Sequence, residues 1–182
     1  AEELPFRVGS PLSVKSLAED VEIDPKTAKR WIGILDSLYY CYQIPPFGSS
    51  KIRAVKKEKK TYLWDWSQIK DKGIRFENMV AGHLLKFCHY RVDAHGEKYE
   101  LYYLRDTDKR EVDFLVCKNR KPVFAVEAKY SSKSLSSHLF YFKERLKIPR
   151  VYQVYFKGQR TRSDDDVQMI PFTDLCRLEN LV

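Results

Sequence analysis

The sequence predicts an α/β chain of the α+β kind in two units: a small helical unit with a strand pair over residues 1–68, and a larger domain over 69–182 with a mixed central sheet. Three observations predict it. Two short helical patterns at 13–38 are followed by aromatic and β-branched stretches at 39–44 and 62–66. A single long amphipathic pattern covers 72–90. Two apolar arms at 111–117 and 122–129 flank the polar break Lys118-Asn119-Arg120-Lys121, as strands joined by a turn would.

In chain order, Ser13 caps a helix through Asp20, with Val14, Leu17 and Ala18 on one face. Residues 21–23 turn, and Asp24 caps a second helix that places Pro25 at its first position, where proline is best tolerated. Thr27, Ala28, Trp31, Ile32, Leu35 and Leu38 repeat at helical spacing, while Lys26, Lys29, Arg30 and Gly33 take the other side. A strand at 39–44 ends at Pro45-Pro46. Lys51, Arg53, Lys56, Lys57, Lys59 and Lys60 follow, opposed only by Glu58, and a strand at 62–66 closes the unit. Such a run either contacts phosphates or is a solvated hairpin. The unit boundary falls near 67–71.

In the second unit the 72–90 helix carries Ile74, Ala81, Leu84, Leu85 and Cys88 as a stripe, widened by Phe76, Val80, His83 and Phe87. Glu77 lies on that stripe and needs a partner there. Strands are expected at 99–104, 111–117 and 122–129. A serine-rich loop over 130–137 runs into a helix at 135–146. A strand at 151–156, a charged loop at 160–166, a strand at 167–172 and a helix capped by Thr173 complete the chain.

Net charge is +8 and the hydrophobic share is 43%, which supports a packed core and favours polyanionic partners, nucleic acid first. No apolar run reaches the length of a membrane span and no signal peptide is visible, so a cytoplasmic protein with no membrane partner is expected. The chain begins at Ala1 rather than methionine, as a piece of a longer polypeptide would. Cys41, Cys88, Cys117 and Cys176 form no C-x-x-C pair, which argues for reduced thiols over a zinc site or disulfides. His83, His89, His95 and His138 have no ligand spacing, and Trp31, Trp64 and Trp66 read as core residues or as base-stacking surfaces.

The two arms carry Asp113 and Glu127 inside apolar runs, and Glu127 shares a strand face with Lys129. Carboxylates so placed repel one another unless a cation intervenes, and oxygen ligands suit a hard ion such as Mg²⁺ or Mn²⁺. Glu77 either completes such a cluster or pairs with Lys129. Glu111 is an outer acid of the cluster or an exposed strand end.

Asp113, Glu127 and Lys129 on successive strands resemble the D…(D/E)-x-K signature of the PD-(D/E)XK nucleases, with Val112 where that motif has proline. The order α-β-β-β-α-β is that of the restriction-endonuclease-like fold, and the resemblance implies that Glu77 of the first core helix joins Asp113 and Glu127 at the metal, with Lys129 catalytic. The first unit resembles a winged helix-turn-helix. In that reading Lys26, Lys29 and Arg30 on the 24–38 helix, with Lys51, Arg53, Lys56 and Lys57 of the wing, hold DNA; winged helices also serve as packing modules.

Taken together, Lys57-x-x-Lys60-x-Tyr62-x-x-Asp65, Gly73-x-x-Phe76-Glu77-Asn78, Glu111-Val112-Asp113-Phe114 and Val126-Glu127-Ala128-Lys129 resemble a prokaryotic family. In it, this pair of units follows an AAA+ ATPase domain, so the resemblance implies an upstream ATPase in the same polypeptide; no Walker A motif is present here. Two functions are expected in consequence. One is a metal-dependent DNA phosphodiesterase. The other is a non-catalytic nucleic-acid-binding or regulatory module of that ATPase on a nuclease-like scaffold.

Overall fold

Side-chain caps start the first two helices. Ser13 accepts from Ser16 N ahead of α1 (Val14–Asp20), and Asp24 accepts from Lys26 N and Thr27 N ahead of α2 (Pro25–Ser37). After a positive φ at Tyr39 the chain enters β1 (Cys41–Ile44), which pairs antiparallel with β2 (Lys60–Leu63), Ile44 opposite Lys60. The computed structural model describes residues 1–48, 58–131, 134–158, 161–164 and 167–181. The basic stretch holding Lys51, Arg53, Lys56 and Lys57 therefore lies outside the described residues.

A 3-10 turn at Trp66–Gln68 leads into α3 (Lys72–His95), capped by Asp71 and ended by Gly96 in the left-handed region. Three antiparallel neighbours follow: β3 (Tyr99–Arg105), β4 (Glu111–Lys118) and β5 (Lys121–Ser131). Helix α4 (Ser137–Leu146) makes the crossover to β6 (Arg150–Lys157), which is parallel to β5. Then come β7 (Arg162–Asp164), β8 (Val167–Pro171) and α5 (Phe172–Leu178), with β8 parallel to β6. Strand order in this mixed six-stranded sheet is β3-β4-β5-β6-β8-β7. Among the described residues no helix is long and apolar enough to cross a membrane.

The sheet is covered on both faces, which is why its central strands read as apolar runs rather than alternating ones. On one face Phe114, Val116, Phe124 and Val126 join a core with Phe76, Val80, Leu84 and Phe87 of α3. On the other, Leu115, Cys117, Ala125 and Val151 pack with Leu139, Phe142 and Leu146 of α4. The α3 core continues into the N-terminal unit through Leu17, Ile32, Cys41, Ile44, Tyr62 and Leu63.

Backbone bonds join the units as well. Phe47 N donates to Tyr103 O and Tyr103 N to Pro45 O, which docks the segment after β1 onto β3. Asn78, fully buried on α3, donates through Nδ2 to Leu63 O and accepts from Leu63 N, both at 2.8 Å, in the manner of a neighbouring strand.

Several element boundaries differ from the sequence reading. Helix α3 runs past 90 to His95, because its polar last turn needs no apolar face and stops only at Gly96. Strand β2 begins at Lys60 and ends at Leu63, so Lys60 is strand rather than loop. Strand β5 continues through Tyr130 and Ser131, extended by its parallel pairing with β6. A short strand, β7, occupies part of the expected loop at 160–166. Pro171, not Thr173, precedes α5, and no side chain caps it. Trp31, Trp64 and Trp66 are 51%, 37% and 41% exposed, not core residues: Ala28 and Ile32 supply the buried face of α2 in place of Trp31, and β2 stops at Leu63 before Trp64 and Trp66.

Candidate active site

Asp113 and Glu127 are both buried acids in β4 and β5, two hydrogen-bonded central strands. Each side chain accepts from the backbone of the neighbouring strand. Ala128 N donates to Asp113 Oδ2 at 2.9 Å, and Asp113 N donates to Glu127 Oε2 at 3.3 Å. Lys129, half exposed, pairs with Glu127 Oε1 at 2.6 Å. The structure thus brings together three of the residues singled out in the sequence.

Glu77 joins them from α3, through a residue that the sequence reading placed in the basic run. Lys60 is 1% exposed, and its ammonium lies 2.6 Å from Glu111 Oε1, 3.4 Å from Asp113 Oδ1 and 3.5 Å from Glu77 Oε1. Tyr62, two positions along β2, donates to Glu77 Oε1 at 2.8 Å. Glu77 therefore pairs with Lys60, not with Lys129. Glu111 is also held by Arg105, so it is a member of the cluster and not a free strand end.

A backbone segment closes this side. Gly9 N donates to Thr61 O, and Leu12 N to Lys59 O, so residues 9–12 run along β2. Gly9 has φ +77°, and a Cβ there would stand 3.0 Å from Glu77 Oε1. Glycine meets both demands at once: left-handed backbone and close approach to a carboxylate.

The electrostatics follow from burial. Desolvation disfavours the Lys60 charge, but Asp113, Glu77 and Glu111 outweigh it and hold the ammonium above the ordinary lysine range. Desolvation, then the charge of Asp113, pushes the Glu77 carboxyl up to about 7 against the pull of Lys60 and Tyr62. The same two causes push Glu127 up to about 8 against Lys129. Burial and the charge of Glu77 keep the Tyr62 hydroxyl protonated, and so a donor.

By donor type Asp113 and Glu127 suit a hard dication. Glu77 is turned to Lys60, and among the described residues no three His, Cys, Asp or Glu side chains are grouped to hold a metal ion. His138 sits at the rim, its Nδ1 3.2 Å from Glu111 O, and His83 bonds Met79 O. Gln153, buried opposite Glu127 on β6, bonds Ser134 O and Ser136 N and orders the start of α4. Lys60, Tyr62 and Gln153 are the residues that sequence reasoning missed. Period-two alternation gives no signal for Lys60, because all four residues of β2 are buried.

Lys26, Lys29 and Arg30 are exposed on α2, away from this cluster in the fold, beside exposed Trp31, Ile34 and Leu38.

Two family models match the chain: one described as "Domain of unknown function (DUF4143)" over residues 72–175, and one described as "Domain of unknown function (DUF8612)" over residues 2–69. The two spans meet just before α3. No curated protein matched the chain, and no solved structure did.

Proposed function

From a chain that belongs to the DUF4143 family, whose description assigns no activity, we propose a metal-dependent phosphodiesterase acting on DNA. The observation that carries the reading is the convergence of the Asp113 and Glu127 carboxylates across β4 and β5, each held by a backbone N–H of the other strand, with Lys129 on Glu127. Two buried carboxylates this close, with desolvation and the charge of Asp113 raising the proton affinity of Glu127 despite Lys129, form a perturbed acid pair of the kind found at functional sites. Mg²⁺ or Mn²⁺, when bound, supplies Lewis acidity toward a phosphate oxygen and an acidified water. Asp113 and Glu127, with the carbonyl of Ala128, would hold it. Lys129, half exposed, would orient the attacking water and offset charge developing on the phosphate. Lys60 and Tyr62 would fix Glu77 and Asp113 from beneath. Lys26, Lys29 and Arg30 would contact the phosphodiester backbone, with Lys51, Arg53, Lys56 and Lys57 of the adjoining basic stretch.

A second reading has its own observation in favour. Lys60 already supplies a cation to Glu77, Glu111 and Asp113, so the cluster also serves as an ion-pair network that locks the two units together. On that reading the chain is a non-catalytic nucleic-acid-binding or regulatory module, and the upstream AAA+ ATPase implied by the family resemblance is its partner.

Plasmid cleavage separates the two. The chain with Mg²⁺ or Mn²⁺ should nick or linearise plasmid DNA, and Asp113→Ala and Lys129→Ala should each abolish this. Equal activity in all three proteins, or none in any, removes the nuclease reading. Calorimetric Mn²⁺ titration gives an independent readout, because Asp113→Asn should lose binding.

A further inference from the structure

A second site-like feature is built on α3 and β5, and its lining is largely aromatic. A cleft of about 240 Å³ opens between the N-terminal turn of α3 and the ends of β5 and β6. Trp66 and Phe156, 41% and 56% exposed, line it together with Phe76, Met79 and Tyr130. Phe156 is stacked on Tyr130 at 5.6 Å and 21°, and leans on Phe76 at 5.7 Å, so it is braced as a flat surface and not left loose. Exposed aromatic faces of this kind are costly to keep in water unless something stacks on them.

The rim is cationic. Lys72 and Arg75 line it on the first turn of α3, where the helix dipole is positive. Arg75 bonds the carbonyls of Ile69 and Lys70 and so keeps its charge uncompensated by those contacts. Lys157 Nζ lies 5.9 Å from the Tyr130 ring centre. Among the described residues no acidic side chain lines the cleft. The volume is below the roughly 300–1,000 Å³ of drug-sized sites, which suits one planar ring system and excludes a helix or an extended peptide. Its position matters as much as its chemistry. The cleft is built on α3 and β5, the elements that also carry Glu77, Glu127 and Lys129, although Tyr130 and Lys129, as strand neighbours, take opposite faces.

We infer that this cleft binds an unpaired nucleobase, stacked on the exposed rings of Trp66 and Phe156, with the attached phosphate at Lys72 and Arg75. The preferred ligand of the acid-cluster face is therefore a single-stranded or splayed nucleic-acid strand, not a continuous duplex, since a base within a duplex is stacked on its neighbours. This specifies the substrate class of the proposed phosphodiesterase and rests on that reading for its role, though not for the binding itself.

The test is fluorescence anisotropy of a labelled oligothymidylate, against a duplex of the same length, with the full chain in EDTA so that hydrolysis plays no part. Wild type should prefer the single strand. Phe156→Ala and Trp66→Ala should each weaken single-strand binding by about 5- to 150-fold, the range of one base-aromatic stack, while leaving duplex binding unchanged. Lys72→Ala should lower the salt slope on the single strand by about 0.7. Binding is read without metal and without turnover, so failure of cleavage and failure of this inference are read separately. Both aromatic side chains are exposed, and circular dichroism melts should show folded variants. Single-strand binding unchanged in Phe156→Ala and Trp66→Ala, or weakened equally on duplex and single strand, overturns the inference; the first result leaves the cleft to an apolar side chain of a protein partner.

Discussion

The ammonium of Lys60 lies 3.4 Å from Oδ1 of Asp113, although 53 positions separate the two residues. The lysine comes from β2 of the N-terminal unit and the aspartate from the central sheet, so the acid cluster is completed only when the two units dock.

Removing that cation should be costly. Lys60→Met leaves Glu77, Glu111 and Asp113 facing one another in a desolvated site, and stripping one partner from a buried ion pair typically costs about 3–5 kcal/mol. Urea denaturation should show this loss. The double variant Lys60→Met/Glu77→Leu should be less unstable than the sum of its parts by about 0.5–3 kcal/mol, the usual coupling of contacting residues. Strict additivity would mean that the contact has no energetic role.

Gly9 should be intolerant of even one methyl group. At φ +77° an alanine is in left-handed backbone, and its Cβ would stand 3.0 Å from Glu77 Oε1. Gly9→Ala should destabilise by at least about 1–2 kcal/mol from backbone conformation alone. In a Glu77→Ala background the steric part vanishes, so the measured penalty should shrink in thermal or urea unfolding.

Stability should fall with rising pH through the range set by Glu77 and Glu127. Both carboxyls are raised, from an ordinary 4.5 to about 7 and about 8. Between those limits the folded chain binds more protons than the unfolded chain, so the slope of unfolding free energy against pH from these groups is negative, and it levels off above about 8. Glu127→Gln removes one of the two titrations. The variant-minus-wild-type difference should therefore rise across that range by no more than about 1.4 kcal/mol per pH unit. Denaturation at a series of pH values reads this directly, and a difference that is flat with pH would contradict it.

Asn78 should matter to β2 more than its size suggests. Its amide takes the place of a strand partner for Leu63, and Asn78→Ala leaves a buried N–H and a buried C=O without it. A loss of about 1–3 kcal/mol per unsatisfied group is expected. Hydrogen exchange at the Leu63 amide should accelerate more than exchange in the centre of β5, because only the former loses its acceptor.

Much of this architecture is legible in one dimension because it rests on short-range physics. Ser13 and Asp24 announce α1 and α2 by capping chemistry, and both bonds are present. The apolar arms of β4 and β5 announce buried strands. Asp113, Glu127 and Lys129 then come together for local reasons, since a tight turn between adjacent antiparallel strands fixes their register. The exposure of Trp64 and Trp66 was not legible, because aromatic residues have the same propensity whether a strand continues through them or stops at Leu63.

By itself, then, the sequence determined the order of helices and strands apart from the short β7, the two central acids with their lysine, and a partly buried glutamate on α3. Tertiary structure alone decided what that glutamate meets. Lys60 stands in a run of like charges, and nothing local distinguishes the lysine that will be buried from those left in water. Only the docking of β2 against α3, through Asn78 and Tyr62, carries Lys60 out of solvent and in among the carboxylates. Burial is a property of the assembled fold, and with it the partner of every charge that cannot stay in water.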